Sequence, residues 1–110
     1  MSLMELLEKH QLNVRSFIDD EIKRTNDENT LVTFYEVSAW IPSTSEYADN
    51  GYMLFGGEYY YFKNFLTANE VAKKMEKEFC GRKDVRTKLI RIQGTKKEIF
   101  KKEELIGSSL

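Results

Sequence analysis

Cys80 and His10 are the only residues of their types in the chain, so nucleophilic or acid–base chemistry would be sought first at those two positions. A reactive cysteine needs positive potential around it, because the thiolate is the nucleophile. Cys80 closes a helical stretch, where the negative end of the helix dipole opposes a thiolate. Lys74, Lys77, Arg82 and Lys83 act in the other direction, but no nearby residue completes a catalytic pairing. Cys80 therefore reads as a small, partly buried apolar residue. His10 sits between Leu7 and Val14 on a helical pattern. A zinc site needs about four converging ligands, and Glu8 and Asn13 are too near on the same helix to provide them.

The carboxylates fare no better. Asp19, Asp20 and Glu21 are consecutive, and consecutive helical side chains point in different directions. Glu46, Asp49 and Asn50 lack the ligand spacing of a calcium loop. No phosphate-cradling glycine loop, nucleophile elbow or zinc spacing is present. The expectation is a domain without a catalytic, metal or cofactor site. Glu36 is the one carboxylate inside a strand pattern, and burying it unpaired would be costly. It should face solvent or meet a basic residue of the last strand. With Trp40 and Tyr47 it makes the best polar site, a ligand pocket beneath a loop at 43–51.

The aromatic residues give the strongest signal. Residues 51–66 hold half of the chain's aromatic side chains around Gly56-Gly57. A two-residue glycine turn suits a β-hairpin, since both central positions of the favoured turn need positive φ. Alternation then puts Met53, Phe55, Tyr60 and Phe62 on one face, and Tyr52, Leu54, Tyr59, Tyr61 and Lys63 on the other. A rival reading makes 52–63 one long strand with a glycine bulge. The first face is the better core. The face of Tyr52, Leu54, Tyr59 and Tyr61 offers stiff, amphipathic contact area of the kind that interfaces favour. Its expected use is protein association, with a second copy in a homodimer or with another protein.

A net charge of −1 conceals an asymmetry: residues 1–55 hold 4 Lys/Arg against 10 Asp/Glu, and residues 56–110 hold 13 against 8. The alternative partner is therefore nucleic acid, with Lys63, Arg82, Arg86, Lys88 and Arg91 on phosphates and tyrosines stacking on bases. Interspersed acids and a pI near 5.9 argue against it.

These residues need elements to hold them. Residues 4–25 carry Leu7, Val14, Phe17, Ile18 and Ile22 at helical spacing, with Asn13 marking a bend. Residues 31–41 are rich in β-branched and aromatic side chains and form a strand that Pro42 ends. Thr67 and Glu70 suggest a capping box, followed by a stripe of Ala68, Val71, Ala72, Met75 and Phe79 that Gly81 closes. Residues 85–93 read as a strand. For the tail, Thr95 and Glu98 could cap a helix through Ile106, but the narrow Ile99–Phe100 stripe favours a strand over 97–101. The predicted architecture is α+β: an antiparallel-dominated sheet of four to five strands with two helices packed on one face, in the order α-β-β-β-α-β-β.

At 110 residues this is one domain, with 1–3 read as a leader and 107–110 as a loose tail. No apolar run approaches the ~20 residues that span a bilayer, so no membrane partner is expected. A single cysteine forms no internal disulfide and suits the reducing cytoplasm.

Overall fold

The strand predicted with least ambiguity is the axis of the molecule. A computed structural model describes residues 2–43, 51–78 and 85–106, leaving aside the side chains of 55–57 and 102–106. In chain order the elements are α1 (Leu3–His10), α2 (Val14–Thr25), β1 (Val32–Pro42), β2 (Tyr52–Phe62), α3 (Phe65–Glu78), β3 (Arg86–Gly94) and α4 (Lys96–Ile106). The sheet runs β2-β1-β3, and both outer strands pair antiparallel to β1. β2 and β3 are therefore parallel to each other across β1, and α3 makes the crossover that such an arrangement requires. The fold is α+β, a mostly antiparallel sheet with helices packed against it.

β2 is one strand where a Gly56-Gly57 hairpin was expected. Its two halves both pair with β1: Tyr59–Phe62 with Tyr35–Ser38, and Tyr52–Leu54 with Trp40–Pro42, with a register shift between Ser38 and Trp40. Counted by paired stretches, the sheet has four strands. The long partner strand explains the outcome, because β1 offers backbone groups to both halves and removes the need for them to pair with each other. The alternation of side chains survives. Met53, Tyr60 and Phe62 share one face with Tyr35, Val37 and Ile41, and Tyr52, Leu54, Tyr59 and Tyr61 share the other with Glu36, Ser38 and Trp40.

The segment expected to form one helix over 4–25 is two. The Asn13 side chain accepts a hydrogen bond from the Ser16 N–H at 3.0 Å and caps α2. Just before it, the Leu12 N–H donates to the Tyr61 carbonyl at 2.8 Å. The chain thereby passes over the outer edge of β2 and delivers its two helices to opposite sides of the sheet. Asn26, in the left-handed region at φ 54°, closes α2.

Each face has its own core. On one side Leu3 and Leu6 of α1 and Ala68, Val71, Ala72 and Met75 of α3 pack on Val37, Ala39 and Phe62. On the other, Val14 and Ile18 of α2 and Ile99 of α4 pack on Val32, Phe34 and Tyr61. Phe34, Phe62 and Ile18 are fully buried, and each such side chain contributes about 1.5–3 kcal/mol. The predicted pair of helices on one face is α1 and α3, and a second pair covers part of the other face.

Two local expectations are corrected. α3 begins at Phe65, so Thr67 and Glu70 lie inside it and form no N-terminal box. The Phe65 ring packs edge-on to Tyr35 at 5.8 Å, which holds the first turn against the sheet. The tail is helix α4 where a strand was expected. Its start is the Thr95/Glu98 box: the Glu98 N–H donates to the Thr95 hydroxyl at 3.3 Å, and the Thr95 N–H donates to the Glu98 carboxylate at 3.1 Å. Ile99 is buried in the second core and Phe100 packs half-buried against it.

Candidate interaction face

The face of the sheet that meets α2 and α4 is a single row system set by pleat and register. From β1 it takes Val32, Phe34, Glu36, Ser38 and Trp40, and from β3 Gly94, Ile92, Ile90, Lys88 and Arg86. From β2 it takes Tyr61, Tyr59, Leu54 and Tyr52. α2 and α4 cover the end built from Val32, Phe34, Tyr61 and Ile92. Among the described residues, Glu36, Trp40, Leu54, Tyr52, Ile90, Lys88 and Arg86 lie beyond that core, with Tyr59 at its rim. Tyr52 is 41% exposed and Ile90 46%.

Trp40 is the hub of that half. Its indole N–H donates to the Ser38 hydroxyl at 2.8 Å, which satisfies a polar atom that would otherwise lie on an apolar strand. The Tyr59 ring meets it edge-on at 6.3 Å, and the Lys88 ammonium stands 4.5 Å above its ring. Lys88 is exposed, so this cation–π contact is worth about 0.5–1 kcal/mol. It fixes the indole plane more than it stabilises the fold.

Glu36 lies where the covered half meets the open half. The Tyr61 hydroxyl donates to its carboxylate at 3.2 Å. Burial raises the Glu36 pKa above the ordinary carboxylate value, and the Tyr61 hydrogen bond and the Lys88 charge pull it part of the way back. Lys88 stands opposite Ser38, one pair along the same face, whereas the β3 residue opposite Glu36 is Ile90.

The tyrosines predicted as one exposed face have divided. Tyr61 is 5% exposed and belongs to the second core, 5.9 Å from the Phe34 ring. Tyr59 is half-buried at the rim of that core, Leu54 is half-buried, and Tyr52 is exposed. The reason is α2: once the chain crosses the β2 edge, its apolar stripe settles on the inner end of this face. Of the proposed phosphate contacts, Arg86 and Lys88 join the open half, whereas Arg91 pairs opposite Tyr35 on the other side of the sheet. Lys63 is exposed just past the end of β2. Arg82, Tyr47, Cys80 and the pocket beneath the 43–51 loop lie outside the described residues.

Ser38 and Ile90 were missed by the sequence reading. The signal for Ile90 was present, since Arg86, Lys88, Ile90 and Ile92 alternate within one strand. What it lacked was the register with β1 that puts Ile90 beside Glu36. Elsewhere, a groove of about 240 Å³ runs along Gln11–Arg15, Tyr59 and Tyr61 at the β2 edge. Tyr60, on the opposite face, has its phenol pushed up to about 12 by burial first and by the Glu58 carboxylate second. Among the described residues, no three His, Cys, Asp or Glu side chains gather to hold a metal ion. Nor is any described helix long and apolar enough to cross a membrane. No family model, curated protein or solved structure matches this chain.

Proposed function

We propose that this protein is a non-catalytic interaction module that self-associates through the open half of its aromatic sheet face. The observation that carries the reading is the row of Trp40, Tyr59, Leu54, Tyr52 and Ile90 continuing past the reach of α2 and α4. Rings and branched aliphatics on a stiff sheet supply contact area at little cost in side-chain entropy. Both signs of charge share the surface, with Glu36 near the middle and Lys88 and Arg86 along β3. A two-fold axis through such a face brings the acid of one copy toward the bases of the other, the self-complementarity a symmetric dimer needs. A reducing compartment such as the cytoplasm suits this module.

Sedimentation velocity over a wide range of protein concentrations tests the proposal. The expected result is a mass that rises with concentration, and a monomer throughout for the double variant Tyr52→Ser, Ile90→Glu, whose sites are exposed enough to spare the fold. A wild-type chain that stays monomeric at all concentrations would remove the proposal.

A second reading has one observation in its favour: Lys88 and Arg86 stand beside Trp40 as phosphate contacts stand beside a base-stacking ring. Affinity for a single-stranded oligonucleotide that falls steeply with added salt would favour it. Glu36 at the centre weighs against it.

A further inference from the structure

We infer that the sheet surface beside the first turn of α3 receives an acidic amphipathic helix of another protein. α1 and α3 pack on Val37, Ala39 and Phe62, and the N-terminal end of β1 runs on past that core. Alternation with Val32 and Phe34, which belong to the second core, turns Leu31 and Tyr35 toward the α3 face. The Phe65 ring stands edge-on to Tyr35 at 5.8 Å, and Leu66 follows it in the chain. Leu66 is 78% exposed, Leu31 64% and Phe65 50%. Scattered exposed apolar residues are ordinary, whereas several along one stretch of surface mark a contact site. The two internal segments outside the described residues, 44–50 and 79–84, join the chain at the other end of the sheet, where Trp40 pairs with Leu54 and Arg86 and where Glu76 of α3 meets Thr87.

Shape and charge select the occupant. The helices already on this face lie with an apolar stripe against the sheet, and a helix laid along Leu31 and Tyr35 extends that layer. Its polar side is chosen by what borders the surface. Arg91 is exposed and pairs opposite Tyr35 on the same face. Its guanidinium donates to Gln93 at 3.1 Å, a neutral partner that does not cancel its charge. Lys63 is exposed just before α3, and α3 carries no acid ahead of Glu70, so the positive end of the helix dipole adds to both cations. Glu28, in the turn before β1, acts on Lys96 at the start of α4. Leucines on one side of a helix and glutamates flanking them match this combination of apolar floor and positive border. The inference is separate from self-association. It uses the opposite face of the sheet and the opposite end of β1, and it shares no side chain with the Trp40, Tyr52 and Ile90 surface.

The test is fluorescence anisotropy with a labelled peptide that repeats Leu-Glu-Glu-Leu-Leu-Glu-Glu, together with amide chemical-shift mapping on the full chain. Three results are expected. The peptide binds and shifts the amides of 31–35, 63–66 and 91–93, with those of Trp40 and Tyr52 unmoved. Its counterpart with lysine in place of each glutamate binds about tenfold more weakly. The acidic peptide binds the Leu66→Ser chain about tenfold more weakly as well, at a site exposed enough to spare the fold. The lysine peptide leaves the protein untouched, so the test survives a variant that folds poorly. Absence of binding at millimolar peptide would overturn the inference, as would equal binding of the lysine peptide. Shifts confined to Trp40, Tyr52 and Ile90 would overturn it while leaving the self-association surface in place. Flotation of the chain with phosphatidylserine vesicles, with no binding of the peptide, would assign the surface to a membrane instead and overturn it too.

Discussion

Replacing Tyr61 with Phe separates the two roles that the phenol plays. The ring is 5% exposed among Val14, Ile18, Phe34 and Ile99, and phenylalanine preserves that packing and the edge-on contact with Phe34. What disappears is the hydroxyl's hydrogen bond to the Glu36 carboxylate. A hydrogen bond to a charged acceptor contributes about 1.5–3 kcal/mol. At 3.2 Å this one is long for an O–H···O contact, and Glu36 is only half-buried, so about 1 kcal/mol is expected at neutral pH. For a domain near 100 residues that is roughly 4 °C in Tm. The loss must depend on pH. In the native chain Glu36 has a folded pKa raised above its unfolded value, chiefly by burial. Its contribution to stability is thus full below the unfolded value and is lost as pH rises through the folded one. The Tyr61 hydroxyl opposes that rise, so its removal deepens the loss at neutral pH and matters less once Glu36 is protonated. Urea denaturation at neutral pH and near pH 4 reads both limits. A gap between native and Tyr61→Phe chains that is equal at the two pH values would refute the reasoning, as would no gap at neutral pH.

Further predictions concern the same framework. Glu36→Gln removes the desolvated charge while keeping an acceptor for Tyr61, so denaturation at neutral pH should give a midpoint at or above the native one, with the advantage fading in acid. Met75→Ala, at a site 1% exposed, should cost about 2–5 kcal/mol in urea unfolding, and a loss below about 1 kcal/mol would contradict the packing of α3 on the sheet. Asn13→Ala and Thr95→Ala each remove a helix cap and should lower stability by about 1 kcal/mol in thermal melts. An ultraviolet titration of the phenols should show a late step near 12 to which Tyr60 contributes, and that contribution should move down in Glu58→Gln.

The legible parts of this fold are those governed by local rules. The β-branched and aromatic run of β1, the Ala68–Val71–Ala72–Met75 part of the α3 stripe and the alternation within Tyr52–Leu54 and Tyr59–Phe62 follow from side-chain periodicity and are found as expected, while Phe79, Gly81 and the Phe55 side chain lie outside the described residues. Each misreading turned on a longer-range effect. Gly56-Gly57 resembles a hairpin until a strand long enough to pair with both halves of β2 lies alongside. Residues 4–25 resemble one helix until the Leu12 amide finds the Tyr61 carbonyl. That crossing also explains Tyr61, since a phenol predicted to face a partner is covered by the helix it introduces. Ile99 and Phe100 looked too narrow a stripe to hold a helix, and they succeed because both reach a core assembled from α2, β1 and β2.

Trp40 is the chain's one tryptophan, so its emission reports directly on the surface at issue. Fluorescence with iodide quenching, followed from dilute to concentrated protein, should show the emission shifting to the blue and the quenching falling as copies close over the indole. An emission maximum and quenching constant that stay fixed across the whole concentration range would contradict the claim that this surface is where the protein binds itself.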